Sequence, residues 1–277
     1  MPDESRRSDA KRVVLACLAL VILNLALYAR APSFDFVGFD DARILLGHPN
    51  LYNQESFTSS LQEIFVAYFP REEPLLLRDV SWALDARLFG LENPLGFQLG
   101  NVVLNALNVA LLFLFLRHAT RRFAFAFAVA GVFSLLPVRV EPVCWVMGRK
   151  DMLAGFWMLL ALWVQSHELA ASDPRRRRAL YLIAFLCTGL ALLSKLSAVS
   201  FFLVLGLHRV FQPYLDGSRP PGAPLPVART LREVAPRITP PAVVSVLYFV
   251  WYRTIVLEYG VIGWRGPGAL DPEHILN

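Results

Sequence analysis

The stretch of sequence that decides the fold is VVLACLALVILNLALYA, residues Val13–Ala29. It has no charged side chain, and it approaches the roughly 20 apolar residues needed to cross about 30 Å of hydrocarbon. Because Lys11 and Arg12 precede it, we interpret it as a membrane-spanning helix. The alternative is a cleaved signal peptide ending at the Ala-Arg-Ala triplet of residues 29–31, but the apolar part is longer than such signals usually have.

Six further runs of the same kind follow along the chain. They are Val102–Leu116, Phe123–Val138, Met152–Gln165, Ala179–Ser194, Ser197–Leu207 and Pro241–Tyr252. Several reach spanning length only with flanking Trp, Tyr, Asn and Gln residues, which suit the membrane interface. The chain is 56% hydrophobic, whereas a soluble domain is usually about 45–50% apolar. The sequence therefore predicts an all-α polytopic membrane protein with about seven transmembrane helices.

The charges between the runs predict the orientation. If the seven helices alternate, the segments on one side are 1–12, 117–122, 166–178 and 208–240, and these hold 16 of the 27 Lys and Arg residues but only 7 of the 22 Asp and Glu residues. Basic segments stay in the cytoplasm, so we expect a cytoplasmic N-terminus. The net charge of +5 then reflects topology and does not indicate nucleic-acid binding. Abundant Ala, Arg, Leu and Pro suggest a bacterial inner (plasma) membrane, with the endoplasmic reticulum left open.

The predicted organisation is simple. A cytoplasmic N-terminus at 1–12 precedes a transmembrane domain at 13–257, and an exterior tail follows at 258–277. The transmembrane domain includes a long first exterior loop at 30–98 and a cytoplasmic Pro-rich linker at 208–240. Loops as long as the exterior loop usually carry structure or function.

Two parts of the exterior loop have apolar residues at helical spacing. They are Thr58–Phe69, for which Ser59 or Ser60 is the expected N-cap, and Leu75–Leu91. We interpret them as amphipathic helices lying against the membrane surface. Helices that only pad the bundle would show the same pattern.

The first candidate functional residues are two adjacent acids in the exterior loop, Asp40 and Asp41. A carboxylate within hydrogen-bond reach can take a proton from an acceptor hydroxyl, and a second carboxylate can orient the first. The pair also fits a divalent-cation site, and a turn or helix N-cap would use the same residue type. The sequence leaves these alternatives open, and it leaves metal binding unknown.

The second exterior segment is dense in charges of both signs. Its charged residues are Arg139, Glu141, Arg149, Lys150 and Asp151. Charges near lipid are costly unless they pair or face a cavity. Arg149 and Lys150 could bind phosphate or anchor the segment at the interface. Lys195, between the fifth and sixth runs, could be an anchor or a further phosphate contact. Acids in one loop and bases in the next two suggest a site for an anionic, lipid-borne substrate at the outer face.

Four segments together carry a family resemblance. They are Phe39-Asp40-Asp41 with His48-Pro49-Asn50, Leu88–Asn101, Pro137–Leu153 and Leu192-Leu193-Ser194-Lys195. In their order and their spacing relative to the apolar runs, they resemble the lipid-phosphate-sugar-dependent glycosyltransferases of the GT-C class. The resemblance is to the protein O-mannosyltransferase branch that includes the transmembrane, tetratricopeptide-repeat-bearing O-mannosyltransferases.

The resemblance implies a GT-C-like bundle in which the first exterior loop lies over a groove for a polyprenyl- or dolichyl-phosphate sugar. Either Asp40 or Asp41 would be the catalytic base. The residues expected to line the site are Glu141, Arg149, Asp151 and Lys195, together with Lys150 and Arg139 by their charge. An inverting transfer of a mannose-like hexose to a hydroxyl group of a protein or glycan would follow, with positive charge stabilising the lipid phosphate as it leaves. The donor is a substrate, and no cofactor is implied beyond the undecided divalent cation.

Four positions differ from the family pattern. Gln98, Asn105 and Arg139 stand where the family has His, and Leu196 stands where it has Glu. These differences favour an alternative, a non-catalytic polyprenyl-phosphate-binding protein or scaffold that joins a membrane-protein partner in a glycosylation assembly. A transporter is a third hypothesis, but the runs lack the mid-span charges and broken helices that transporters use. The three cysteines show neither metal-ligand spacing nor a disulfide framework.

Overall fold

The structure is a computed structural model that describes residues 2–38, 40–52, 56–67, 74–220, 222–225 and 227–258. Within those residues all regular structure is helical. The α-helices are α1 (Pro2–Leu27), α2 (Pro49–Tyr52), α3 (Phe57–Gln62), α4 (Leu76–Phe89), α5 (Pro94–Thr120), α6 (Phe123–Leu135), α7 (Val140–Cys144), α8 (Arg149–Ala170), α9 (Pro174–Ser194), α10 (Phe201–Leu215) and α11 (Val227–Glu258). Short 3-10 turns lie at Ala31–Ser33, Pro137–Arg139, Val146–Gly148 and Leu196–Ser200, and π-helical turns lie at Asp41–Leu46 and Glu63–Ala67.

Several helical stretches are long and apolar enough to cross a membrane. Among the described residues they are Ser8–Ser33, Pro94–Thr120, Pro174–Ser194, Leu196–Leu215 and Arg232–Thr254. A sixth arises if Phe123–Leu135 and Pro137–Cys144, which meet at a bend of 62°, count as one broken span. The predicted class of all-helical polytopic membrane protein is therefore confirmed, with five or six candidate spans where we predicted about seven.

The difference concerns the fourth predicted span, which lies within α8. This helix has 22 residues, enough at 1.5 Å per residue to cross about 30 Å. It is not among the candidate spans because both ends are polar, with charges at 149–151 and polar residues at 165–168. A crossing by α8 therefore stays a prediction.

The bundle is built around α5, which contacts α1, α4, α6 and α8, while α8 packs in turn against α9. One core joins α1, α5 and α6, and its buried residues are Ala16, Leu20, Val109, Phe113, Ala126 and Ala130. Small residues such as these alanines let helices approach closely in a membrane. Inside the same contact, Asn24 Nδ2 donates a hydrogen bond to Ser134 Oγ at 3.1 Å, which ties α1 to α6.

Two of the long helices begin at strong N-terminal signals. Asn93 Oδ1 accepts a hydrogen bond from the backbone N–H of Leu95 at 3.2 Å. The carboxylate of Asp173 accepts from the backbone N–H groups of Arg175 and Arg176. A proline follows each cap at the first helical position, where its missing N–H is not needed. The starts of α5 and α9 are thus fixed locally by sequence.

The long loop 30–98, which we predicted to be exterior, folds against one end of the bundle, and this end is named the outer end after that prediction. Its α2, α3 and α4 bury one core together with α5 and the turn at 146–148, formed by Leu45, Leu51, Tyr52, Ile64, Trp82, Ala83, Ala86, Leu91, Phe97, Val146 and Met147. The inner face of α4 therefore packs on protein, whereas Leu84 and Leu88 on its other face are exposed. The packing of the inner face fits the padding interpretation, and a position of α4 at the membrane surface stays a prediction.

Both helices predicted in this loop are present. The second is α4, and the first is α3, which continues as the π-helical turn Glu63–Ala67. The predicted N-cap was wrong, because the hydroxyl of Ser56, and not that of Ser59 or Ser60, accepts the capping hydrogen bond, from the backbone N–H of Ser59 at 3.1 Å. The cap lies earlier because the helix itself begins at Phe57.

Helix occupies much of the predicted Pro-rich linker 208–240. Since α10 continues to Leu215 and α11 begins at Val227, the connection between them is shorter than predicted. The composition of this segment disfavours folding alone, but α10 gains partners on other helices. Gln212 Nε2, for example, donates to the backbone carbonyl of Ala119 at 3.1 Å. The predicted tail 258–277 lies outside the described residues except for its first residue.

A buried ion pair fixes the same part of α10. Arg209 donates to both carboxylate oxygens of Glu168 on α8, and Arg177 on α9 approaches that carboxylate at 3.6 Å. The side chains of Glu168 and Arg209 are 0% and 5% exposed. Taking one partner from such a pair leaves an uncompensated buried charge.

We therefore expect Glu168→Leu to lower the free energy of unfolding by about 3–5 kcal/mol, because Arg209 keeps its charge without a partner. The double variant Glu168→Leu with Arg209→Met removes both charges and should recover most of the loss. Thermal unfolding of the purified chain in detergent measures both effects. A double variant as unstable as the single one would contradict this account.

Candidate functional site

The outer end of the bundle is organised around the buried guanidinium of Arg149. The whole residue is 2% exposed. Its Nη2 donates to Asp85 Oδ2 at 2.6 Å and to the backbone carbonyl of Phe97 at 2.8 Å. Its Nε donates to Asn101 Oδ1 at 2.6 Å, and its Nη1 donates to Ser81 Oγ at 3.1 Å. One side chain of α8 therefore joins α4 of the exterior loop to α5 of the bundle.

The surroundings of Arg149 are shaped to receive it. A side chain at Gly100 would meet the Arg149 guanidinium and the Asp85 carboxylate, so glycine leaves the space that they occupy. Burial raises the pKa of Asp85, whereas the charge and hydrogen bond of Arg149 lower it. The N–H donors of Arg149 thus face protein acceptors, and phosphate binding by this residue stays a prediction.

We expect Asp85→Asn to loosen the exterior loop, because the buried guanidinium of Arg149 loses its counter-charge. A charged hydrogen bond is worth about 1.5–3 kcal/mol, so the backbone amides of α4 should exchange with deuterium at least about tenfold faster. Hydrogen-exchange mass spectrometry of the full chain measures this. Asp35→Asn is the matched control, because Asp35 is an exposed acid of the same loop, and equal effects of both changes would contradict the proposed linkage.

The two predicted acids of the first exterior loop lie in different environments. Asp41 is fully buried, and its Oδ2 accepts a hydrogen bond from the backbone N–H of Val37 at 2.8 Å. Its Oδ1 is also buried, and the indole N–H of Trp145 and the backbone N–H of Met147 lie close enough to act on the carboxylate. Asp40 is partly exposed, and its side chain does not cap the turn that follows it. Phe39, which we matched to the family motif, lies outside the described residues.

The environment of Asp41 changes its acidity. Burial raises the pKa of the Asp41 carboxyl, and the like charge of Asp40 raises it further. The backbone N–H of Val37, the Trp145 side chain and the backbone N–H of Met147 oppose this shift. A carboxylate whose pKa is raised accepts a proton more readily near neutral pH, as a general base must.

A cluster of charged residues lies at the outer ends of α8 and α9. Lys195, which follows α9, forms an ion pair with Asp151 in the first turn of α8, and both side chains are about one third exposed. Arg139 donates a hydrogen bond to Asn105 Oδ1 of α5, and its guanidinium lies 4.4 Å from the ring centroid of Phe133. Asp151 also lies close enough to interact with the charge of Arg139. The structure thus brings together three residues that sequence reasoning assigned to the site.

The remaining predicted residues lie beside this cluster. Glu141 is exposed on α7, and Lys150 is partly exposed in the first turn of α8. Among the described residues, no three His, Cys, Asp or Glu side chains are grouped so as to hold a metal ion. The divalent cation is therefore still only a hypothesis.

A polar stripe on α5 was missed at the level of sequence. Its members are Gln98, Asn101, Asn105 and Asn108, all of them buried. Both amide atoms of Gln98, Nδ2 of Asn105 and Oδ1 of Asn108 have no hydrogen-bond partner within the described part of the chain. Amides at intervals of three and four residues share one helix face, so the spacing could have revealed the stripe. Buried amides without partners are costly, and they give this face unused capacity to bind polar groups.

The chain is distantly similar to membrane glycosyltransferases of the GT-C class. The relatives are the proteins called protein O-mannosyl-transferase TMTC2 from Mus musculus and Homo sapiens. Each is 27% identical over 210 residues, which cover 72% of this chain and 24% of the relative. The predicted resemblance is thus confirmed as a distant similarity, and the chain spans about a quarter of the length of the curated relatives it matches. No protein-family model and no solved structure matches the chain.

Proposed function

We propose that this chain is a GT-C-type glycosyltransferase. It moves a mannose-like hexose from a polyprenyl- or dolichyl-phosphate carrier to a hydroxyl group, on protein, at the extracytoplasmic face of the membrane. The observation that carries the proposal is the clustering of Arg139, Asp151 and Lys195 at the same end of the bundle as the exterior loop that holds Asp41. The distant similarity to protein O-mannosyl-transferase supplies the reaction class.

In the proposed reaction, the acceptor oxygen attacks C1 of the sugar. The bond between C1 and the phosphate oxygen breaks, the lipid phosphate leaves, and the hydroxyl proton moves to a carboxylate. We assign the carboxylate to Asp41, because Val37 holds one of its oxygens and burial raises the pKa of its carboxyl group. Asp41 is buried here, so the proposed reaction requires a rearrangement that lets the acceptor reach it. We assign to Asp40 the role of raising the pKa of Asp41 through its like charge.

The basic residues of the cluster hold the leaving group. Lys195 and Arg139 supply the positive charge that stabilises the departing phosphate. Asp151 positions the ammonium group of Lys195 through their ion pair. Arg149 acts as a positioning residue, because its hydrogen bonds fix the exterior loop on the bundle.

The proposal includes a topology. Seven helices cross the membrane, with α8 as the fourth, and the N-terminus lies in the cytoplasm. Such a chain would lie in a bacterial inner membrane, take its donor from the outer leaflet and act on a protein or glycan acceptor. A membrane-protein partner would complete the acceptor site.

The alternative is a non-catalytic polyprenyl-phosphate-binding or scaffold subunit. The complete burial of Asp41 favours it, as do the replacements at Gln98 and Leu196. This alternative predicts lipid-phosphate binding without sugar transfer, and the variants below separate the two functions.

The first test compares Asp41→Asn with Asp40→Asn in a transfer assay that uses radiolabelled polyprenyl-phosphate mannose. Loss of a general base typically costs 10²–10⁴-fold in rate, and we expect such a loss for Asp41→Asn alone. Donor binding should survive in both variants. If sugar transfer persists in Asp41→Asn, Asp41 is not the general base. If the native chain binds the donor but transfers no sugar, the non-catalytic binding or scaffold function is favoured.

The second test is the pH dependence of transfer. Burial raises the pKa of Asp41. The pH at which the transfer rate falls to half on the acidic side should therefore lie above about 3.9, the ordinary pKa of an aspartate. Asp40→Asn removes a like charge that raises this pKa, so the pH of half rate should be lower in that variant. A pH of half rate that stays in place, or moves to a higher value, would be inconsistent with base catalysis by Asp41.

The third test concerns the phosphate contacts. We expect Lys195→Gln and Arg139→Gln each to weaken binding of polyprenyl phosphate about tenfold or more, since a charged hydrogen bond is worth about 1.5–3 kcal/mol. Arg30→Gln is the control, because Arg30 is an exposed arginine that also follows the first helix on the outer side. Equal weakening in all three variants would show only a general effect of charge.

A further inference from the structure

A cavity lies at the end of the bundle opposite the charged cluster. It has a volume of about 590 Å³ and lies among α1, α5, α8 and α10, within the range of about 300–1,000 Å³ found for ligand pockets. The polar residues that line it are Asp9, Arg117, His118, Arg121, Ser166, Gln212 and Asp216. None of these residues serves the proposed transfer reaction.

The two arginines of this polar cavity differ in their ion pairing. Arg117 forms an ion pair with Asp9. Arg121 ends α5 in a left-handed conformation with φ of 58° and is exposed. No ion pair of Arg121 occurs among the described residues, although Asp216 lies close enough to interact with its charge. A guanidinium at a cavity mouth is suited to bidentate binding of a phosphate group.

An apolar groove adjoins the polar cavity. It measures about 560 Å³, runs between α1 and α6, and shares Asp9 and Phe123 with the polar cavity. Arg12, Leu15, Ala16, Ala19 and Phe127 also line it. Leu15 is 65% exposed and belongs to the candidate span Ser8–Ser33, so the groove opens on a surface that would face lipid. A polar compartment at a helix end that continues into an apolar groove along the same helices matches the two chemical parts of a phospholipid.

We propose that this site binds one anionic phospholipid of the cytoplasmic leaflet, with a phosphodiester headgroup such as that of phosphatidylglycerol. The phosphate lies at Arg121, the headgroup hydroxyls reach the polar wall that includes Gln212, and one acyl chain lies in the groove between α1 and α6. The basic segments at this end of the chain support a cytoplasmic position, where anionic lipids attract Lys and Arg. The proposal does not depend on sugar transfer.

The headgroup contact is tested on the full chain in detergent by native mass spectrometry during titration with phosphatidylglycerol. One arginine near an anionic lipid surface is worth about 1 kcal/mol, so Arg121→Gln should weaken binding about fivefold. Arg122→Gln is the matched control, because Arg122 is the next residue, is also exposed and lines neither cavity. Equal weakening by the two changes would overturn the proposal.

The groove is tested separately by filling it. Ala19→Trp should weaken binding of phosphatidylglycerol about fivefold or more without removing a charge, whereas Leu18→Trp, on an exposed position outside the groove, should leave it unchanged. Phosphatidylcholine should bind more weakly than phosphatidylglycerol, and inorganic phosphate should not compete at equal concentration. Full binding by Ala19→Trp would overturn the proposal that an acyl chain lies in the groove. Competition by inorganic phosphate would overturn the proposal of a lipid ligand and assign the cavity to a soluble anion.

Discussion

A guanidinium group buried at the outer end of the bundle constrains the rest of the structure. Arg149 keeps its charge away from water, and such a group is tolerated only when it is paired and hydrogen-bonded. Its acceptors come from two helices, with Ser81 and Asp85 on α4 and Phe97 and Asn101 on α5. Because all these acceptors must reach the same guanidinium group, they fix the position of the exterior loop on the bundle. The same constraint extends further, since Asn101 Nδ2 also donates to the backbone carbonyl of Trp145 at 2.8 Å.

This position of the loop determines where the acids lie. Trp145 faces Asp41, so a line of contacts leads from Arg149 through Asn101 to the proposed base. Lys195 and Asp151 lie on the other side of α8 from this line and remain about one third exposed. The outer end therefore combines a tightly bound part around Arg149 with a partly open part, at which we propose that a lipid-borne phosphate binds. The opposite end has a different character, with arginines around a cavity that continues into the membrane face.

Much of the fold follows from the sequence because its signals are local. Apolar runs predicted the long helices, and the predicted helix Leu75–Leu91 agrees closely with α4 because Gly90 ends it with φ of 89°. The extent of α10 could not be predicted, since it depends on Glu168 and Ala119, which are distant in the sequence. The same limit applies to the site. Residue type indicated that Arg149 was important, but only the tertiary structure shows that Asp85 is its partner.

The polar stripe of α5 illustrates a signal that was present and not used. Four amides at helical spacing within an apolar run predict a polar face inside a membrane, where such residues usually serve function. Gln98 was noted only as a departure from the family pattern, yet it lies buried on that face beside Asn101 and Asn105. The departure therefore keeps polarity at the position while changing its chemistry, which is compatible with a transferase of altered acceptor or donor preference.

If the outer end of the bundle binds a lipid-linked phosphate between residues from separate loops, the bound phosphate should be visible there. The most direct measurement is an experimental structure of the full chain with polyprenyl phosphate, determined by electron cryomicroscopy with a bound antibody fragment. We predict that the phosphate lies within hydrogen-bond distance of Lys195 Nζ and the Arg139 guanidinium, on the side of the exterior loop. A phosphate found only in the cavity at the opposite end, with Lys195 still paired to Asp151 alone, would contradict the account.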